Sequence, residues 1–174
     1  MLGYISTNDS KISSAGLHKI NYLIGEFDVL VYLFQSDLWT KVGSGISSIS
    51  SSDKLVTEKI EITKGDETIS MNNTFAPEAI EEYKMLALDL TSGTMDVYKG
   101  KIANEKLVFC NSELGRSSTT LPRDTYSFKL IYNQISQYEN QVVIGRSKDA
   151  GKTWIPYLKS VSYTHLTLPT IYSV

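Results

Sequence analysis

The pattern of apolar and polar positions changes once, near residue 25. Before that point Leu17, Ile20, Leu23 and Ile24 recur at three- and four-residue spacing, the period of a helix with one buried face. Ser13 or Ser14 is placed to cap its start and Gly25 to stop it, so the spacing predicts one short helix over residues 13–24. Beyond it lie short runs rich in Val, Ile, Tyr, Phe and Thr, separated by turn residues at intervals of about ten, the signature of a β-sandwich or barrel.

EFDVLVYLF is the first such run and WTKVGSGISSI the second. KLVTEKIEIT alternates, with Leu55, Thr57, Lys59 and Glu61 on one face and Val56, Glu58, Ile60 and Ile62 on the other. KGDE turns it into TISMNNTF, where Gly65 suits the positive φ of a tight turn. YKMLALDL, MDVYKGKI and NEKLVFC follow, and after them NSELGRSSTTLPR lacks periodicity and reads as an exposed excursion between strands. DTYSFKLIYN, QYENQVVIGRS and TWIPYLKS complete a set of about ten strands with no helix between them.

Such a succession leaves little room for a parallel sheet and favours an antiparallel meander. A sheet this long must curl or split, and closure removes the edges that invite aggregation. The expected fold is therefore all-β, an up-and-down barrel with the helix over one mouth. A barrel of this strand number encloses more volume than a few side chains fill.

Composition narrows the picture without naming a function. The 174 residues, 41% hydrophobic and 21% charged, suit one globular domain that needs no metal or disulfide staple. No stretch has the apolar length of a membrane-crossing helix. A net charge of −2 offers no phosphate-tracking surface, so no nucleic-acid partner is expected. Cys110 is the lone cysteine, which fits a reducing compartment. The start MLGYISTNDSKISS has no basic and apolar signal pattern, so cytoplasmic residence is expected, with an export signal upstream of Met1 left open.

The last fourteen residues, VSYTHLTLPTIYSV, carry no Lys, Arg, Asp or Glu. Back-translated, they resemble one reading frame of a transposase sequencing adapter followed by a short index. They are therefore expected to be a non-native tail, set aside in reading the fold. The expected organisation is a flexible N-terminus at 1–12, one barrel domain at 13–160, and this tail at 161–174.

INYLIGEFDVLVYL resembles the opening of the DUF1579 family, a short helix followed by Leu-x-Gly-x-Trp entering the first strand. Leu23, Gly25 and Phe27 carry the motif here, with Phe27 in the place of the usual Trp, which keeps an aromatic plug and loses an N–H donor. The close, DAGKTWIPYLKS, is similar to the family's final turn and strand, with Asp149, Gly151, Thr153 and Trp154 in place. The resemblance implies a lipocalin-like, calycin-type barrel of unassigned function. SKDAGKTW also resembles the Asp-box of sialidase propellers, but one copy makes no propeller, and its expected task is to brace a hairpin.

Candidate chemistry is sparse. His18 lies in the predicted helix, and one His with one Cys makes no zinc set, so neither metal nor cofactor is expected. Cys110, within LVFC, reads as a small buried hydrophobe before it reads as a nucleophile. Glu58 with Glu61, and Glu78 with Glu81 and Glu82, show no spacing that demands acid–base work. What remains is aromatic: Trp39, Tyr83, Tyr98, Phe128, Tyr132 and Tyr138, with Arg146 near a strand end. Tyrosine rings suit the wall of a cavity for an amphipathic molecule, and they equally suit core packing. The expectation is a noncatalytic module that binds a small hydrophobic or amphipathic ligand, as monomer or homodimer. The alternatives are a hydrolase of lipids or acyl esters and a homodimeric scaffold.

Overall fold

The computed structural model describes residues 16–52, 54–79, 81–112 and 126–164. Ten antiparallel strands close into one barrel: β1 (Gly25–Gln35), β2 (Leu38–Ser51), β3 (Val56–Lys64), β4 (Glu67–Ala79), β5 (Glu82–Asp89), β6 (Thr94–Ala103), β7 (Lys106–Cys110), β8 (Ser127–Ser136), β9 (Glu139–Ser147) and β10 (Ile155–Thr164). Each strand pairs with its sequence neighbours, and β1 pairs with β10 to complete the ring. The up-and-down barrel expected from turn spacing is the observed fold, and closure leaves no unpaired sheet edge.

The helical segment is shorter than its apolar spacing predicts. Residues 16–18 are α-helical and a 3₁₀ turn, Asn21–Leu23, follows; residues 13–15 lie outside the described residues. The bonds run from Lys19 N–H to Gly16, Ile20 N–H to Leu17 and Leu23 N–H to Ile20, a three-residue step. In that winding Leu17, Ile20 and Leu23 stack on one side, and all three are buried while Ile24 is exposed. The segment plugs one mouth. The Tyr83 hydroxyl donates to Gly16 O at 2.8 Å, Asn140 Nδ2 donates to Tyr22 O at 3.3 Å, and Lys19 pairs with Glu81.

Below this plug the barrel is filled. Phe75, Phe109 and Tyr132 meet with ring centroids 5.5 to 6.0 Å apart, tilted or edge-on as ring quadrupoles favour. Phe27, Ile49, Val56, Tyr83, Met85 and Leu107 complete the core around them.

Strand β10 runs through Thr164, four residues past the expected boundary at 160. Val161 to Thr164 pair with Leu30 to Phe27, and Val161 is buried, so the ring closes through these positions. Residues 165–174, and nearly all of the expected excursion at 111–123, lie outside the described residues.

Candidate functional site

At the half of the barrel away from the plug the interior is open, forming a cavity of about 370 Å³. Its wall comes from inward positions of nearly every strand, because alternate residues along a strand face the same side. Val29 and Val31 of β1, Ile60 and Ile62 of β3, Ala87 of β5, Leu130 of β8, and Val142 and Ile144 of β9 make it largely apolar. Tyr98, Phe128 and Tyr132 add rings, and Tyr157 stands near the rim, 6.2 Å from Phe128 between centroids.

One ionisable group lies deep in this wall. Glu58 is 6% exposed and follows the inward parity of Val56 and Ile60 on β3. Ser47 Oγ on β2 donates to Glu58 Oε1 at 3.2 Å, and Asn73 Nδ2 on β4 donates to Oε2 at 2.8 Å. Strand register brings them together, since Glu58 is the Cα partner of both Ile49, two residues from Ser47, and Asn73. Burial pushes the Glu58 carboxyl above its ordinary value, against hydrogen bonds from Asn73, Ser47 and Tyr132 that hold it down. Burial also raises Tyr132 well above the ordinary phenol value, with the charge of Glu58 adding to it, so its hydroxyl stays protonated.

Two further carboxylates, Asp89 and Asp96, lie on the wall at the ends of β5 and β6 remote from the plug. Burial pushes Asp89 upward, but hydrogen bonds from Ser92 and Thr91 in the adjoining turn outweigh it and leave the carboxyl below its usual range. Lys159 contributes to the wall, yet its Nζ lies over the Tyr32 and Trp39 rings at 4.7 and 4.9 Å. Arg146 stacks its guanidinium on Tyr126 and Tyr157 at 5.1 and 4.8 Å.

Of the aromatic candidates, Tyr98, Phe128 and Tyr132 share the cavity wall. Arg146 stands beside that wall through Tyr157. Tyr83 is placed elsewhere: it is buried at the plugged end, bonded to Gly16, and burial and then Glu81 raise it to about 12. Trp39 packs outside the barrel against Phe34 at 5.0 Å. A bulge between Val31 and Tyr32, where Val42 is the unpaired extra residue, reverses the alternation of β2 and turns Trp39 outward. Tyr138 is exposed.

Glu58 has no second carboxylate at a spacing that would mark it as half of an acid–base pair. Its signal was a charge on the apolar face of an alternating strand. Glu61 is exposed on the opposite face, Glu78 pairs with Lys84, and Glu81 pairs with Lys19. His18 is exposed. Cys110 is partly buried with its Sγ 3.1 Å from Ser112 Oγ. Among the described residues no group of His, Cys, Asp and Glu is gathered for a metal ion.

The family-like motifs occupy structural positions. Leu23 and Phe27 are buried in the plugged core, and Gly25 opens β1 between them. In the β9–β10 hairpin, Asp149 accepts from Ser147 Oγ at 2.6 Å, Thr153 N–H at 2.9 Å and Thr153 Oγ1 at 2.7 Å. Those bonds, Ser147 foremost, hold its carboxyl well below the usual range. Gly151 has φ +87°, where a side chain would be strained, and Trp154 packs under the ammonium of Lys129 at 4.6 Å.

Fold and site together define the chain as a closed ten-stranded barrel, packed at one end and hollow at the other. No protein-family model matches the chain, and no curated protein matches it in sequence. Among solved structures it is similar to Rv2717c from M. tuberculosis, with a TM-score of 0.64 and 10% identity over 86% of this chain and 97% of that one. That likeness is one of fold alone. A redesigned beta barrel aligns with a TM-score of 0.44 at 12% identity, over 83% of this chain and 92% of its own. EF1p2_mFAP2b bound to DFHBI aligns with a TM-score of 0.45 at 8% identity, over 88% of this chain and 99% of its own. Among the described residues no helix is long and apolar enough to cross a membrane.

Proposed function

We propose that this protein is a noncatalytic binding module of the DUF1579 type that holds a small hydrophobic or amphipathic molecule inside its barrel. The observation that carries the reading is the cavity of about 370 Å³, apolar along most of its wall with Glu58, Ser47 and Asn73 as a convergent polar group. Pockets that bind small molecules combine those two elements, apolar area for affinity and a few fixed polar groups for orientation. The plugged half supports the same reading, because the packed layer around Phe75 and Phe109 carries the fold and leaves the other half free for a ligand. The positions of Leu23, Gly25, Phe27 and the Asp149 hairpin support the family resemblance. A lone thiol at Cys110 fits a reducing compartment such as the cytoplasm.

Titration with the neutral fluorophore N-phenylnaphthylamine tests the reading. Saturable one-to-one enhancement is expected, abolished by Ala87→Phe, which places a ring in the cavity. A linear, unsaturable response, or an enhancement that Ala87→Phe leaves unchanged, would refute binding inside the barrel.

A further inference from the structure

The wall chemistry narrows what the cavity accepts. Building on the binding reading above, we propose that its ligand is an apolar molecule bearing a protonated amine, seated with the ammonium against the Glu58 carboxylate. An ionised carboxylate has about four acceptor positions, and Ser47, Asn73 and Tyr132 each occupy one of them. The remaining capacity belongs to a residue that forms part of the cavity wall, beside Val29, Ile60, Leu130 and Val142. Among the described residues no cationic side chain is paired with Glu58, since Lys159 and Arg146 are engaged with the Tyr32, Trp39, Tyr126 and Tyr157 rings.

A buried charge without a counter-ion is costly, and an ammonium from the ligand supplies what the wall lacks. The two outer carboxylates, Asp89 and Asp96, add a field of the same sign, which attracts a cation and repels a carboxylate. A fatty acid would set a second carboxyl beside Glu58, where both cannot ionise at ordinary cost. Tyr98 and Tyr132 on the same wall add aromatic rings, a side-chain type that attracts cations. The polar corner and the apolar remainder thus favour the amine over an alcohol or an acid with the same hydrocarbon.

Calorimetric titration with phenylbutylamine, phenylbutanol and phenylbutanoate separates these cases, because the three differ only in the head group. In the unaltered protein the amine is expected to bind about tenfold more tightly than the alcohol or better, as close charge pairs do, and the acid more weakly than both. Glu58→Gln is expected to erase the preference, bringing amine and alcohol affinities to within about twofold of each other.

A pH series on the unaltered protein gives an independent reading if that variant does not fold. The ionisable groups around Glu58 are Tyr132, with Tyr98 and Tyr22 acting on Tyr132 in turn, and Asp89, Asp96 and Lys159 farther along the wall. Since burial raises the Glu58 carboxyl, amine affinity is expected to climb as pH rises through its titration, over a range in which the amine stays protonated. Alcohol affinity is expected to stay level. Equal binding of amine and alcohol, preferred binding of the acid, or an amine affinity independent of pH would overturn the amine assignment and leave the binding module standing. Failure of all three compounds to bind would overturn both.

Discussion

At the plugged end of the barrel, Ile20 and Leu23 close over Phe75, Phe109 and Tyr132, and all five side chains are buried. At the opposite end the same strands carry Val31, Ile62, Ala87 and Ile144 around open space. Side-chain volume, more than strand geometry, separates the two. Where inward positions hold rings and a chain segment supplies Leu17, Ile20 and Leu23 from outside the sheet, the interior fills. Where most of those positions hold Val, Ile, Ala and Ser, and the rings of Tyr98, Phe128 and Tyr157 have no chain segment among the described residues closing over them, a ten-stranded ring is too wide for the side chains to fill. One half therefore supplies stability, and the other keeps open space inside the sheet.

Substitutions in the two halves should behave differently. Phe75→Ala removes a ring with no exposure and should cost about 3–5 kcal/mol, read from a lowered denaturation midpoint with unchanged m. Gly100→Ala is next. A Cβ there would lie 2.2 Å from the Phe109 ring, and that ring is held by Phe75 and Tyr132, so a loss of about 1–3 kcal/mol is expected. Neutral stability in Gly100→Ala would show the plugged half to be looser than its contacts imply.

The boundary between the halves should be visible in pH dependence. The folded state holds the Glu58 carboxyl above its ordinary value of 4.5, so the protonated form is the one the fold favours. Its contribution is fully present below that ordinary value and is lost as pH rises through the raised one. Relative to Glu58→Gln, the unaltered protein should lose stability over that window by at most about 1.4 kcal/mol per pH unit. Parallel stability profiles for the two proteins would place Glu58 in contact with water. Smallest of all should be the effect of Ala87→Phe on stability, within about 1 kcal/mol, because the added ring enters space already present.

Much of this architecture was legible in the chain. Turn signals such as KGDE separate the runs, and the ten strands fall on them, except that β10 continues through Thr164 into the stretch set aside as a tail. Helix extent was not, because Leu17, Ile20 and Leu23 fit a three-residue winding as well as a four-residue one. Facing was harder. EFDVLVYLF is apolar on both sides, and the bulge opposite Val31 that turns Trp39 outward leaves no mark in local composition. The parity of β3 did put Glu58 among apolar residues. What that parity could not supply was its partners, since Ser47 and Asn73 reach it through the register of β2 and β4, a property of the closed ring.

The difference between the two ends can be measured directly by amide NMR during titration with phenylbutanol. Saturable shifts confined to the open half, at Ile60, Ile62, Ala87, Val142 and Ile144, with Phe75, Leu107 and Phe109 silent, are the predicted result. Shifts scattered over the barrel exterior, or none that saturate, would contradict a hollow half made for a ligand.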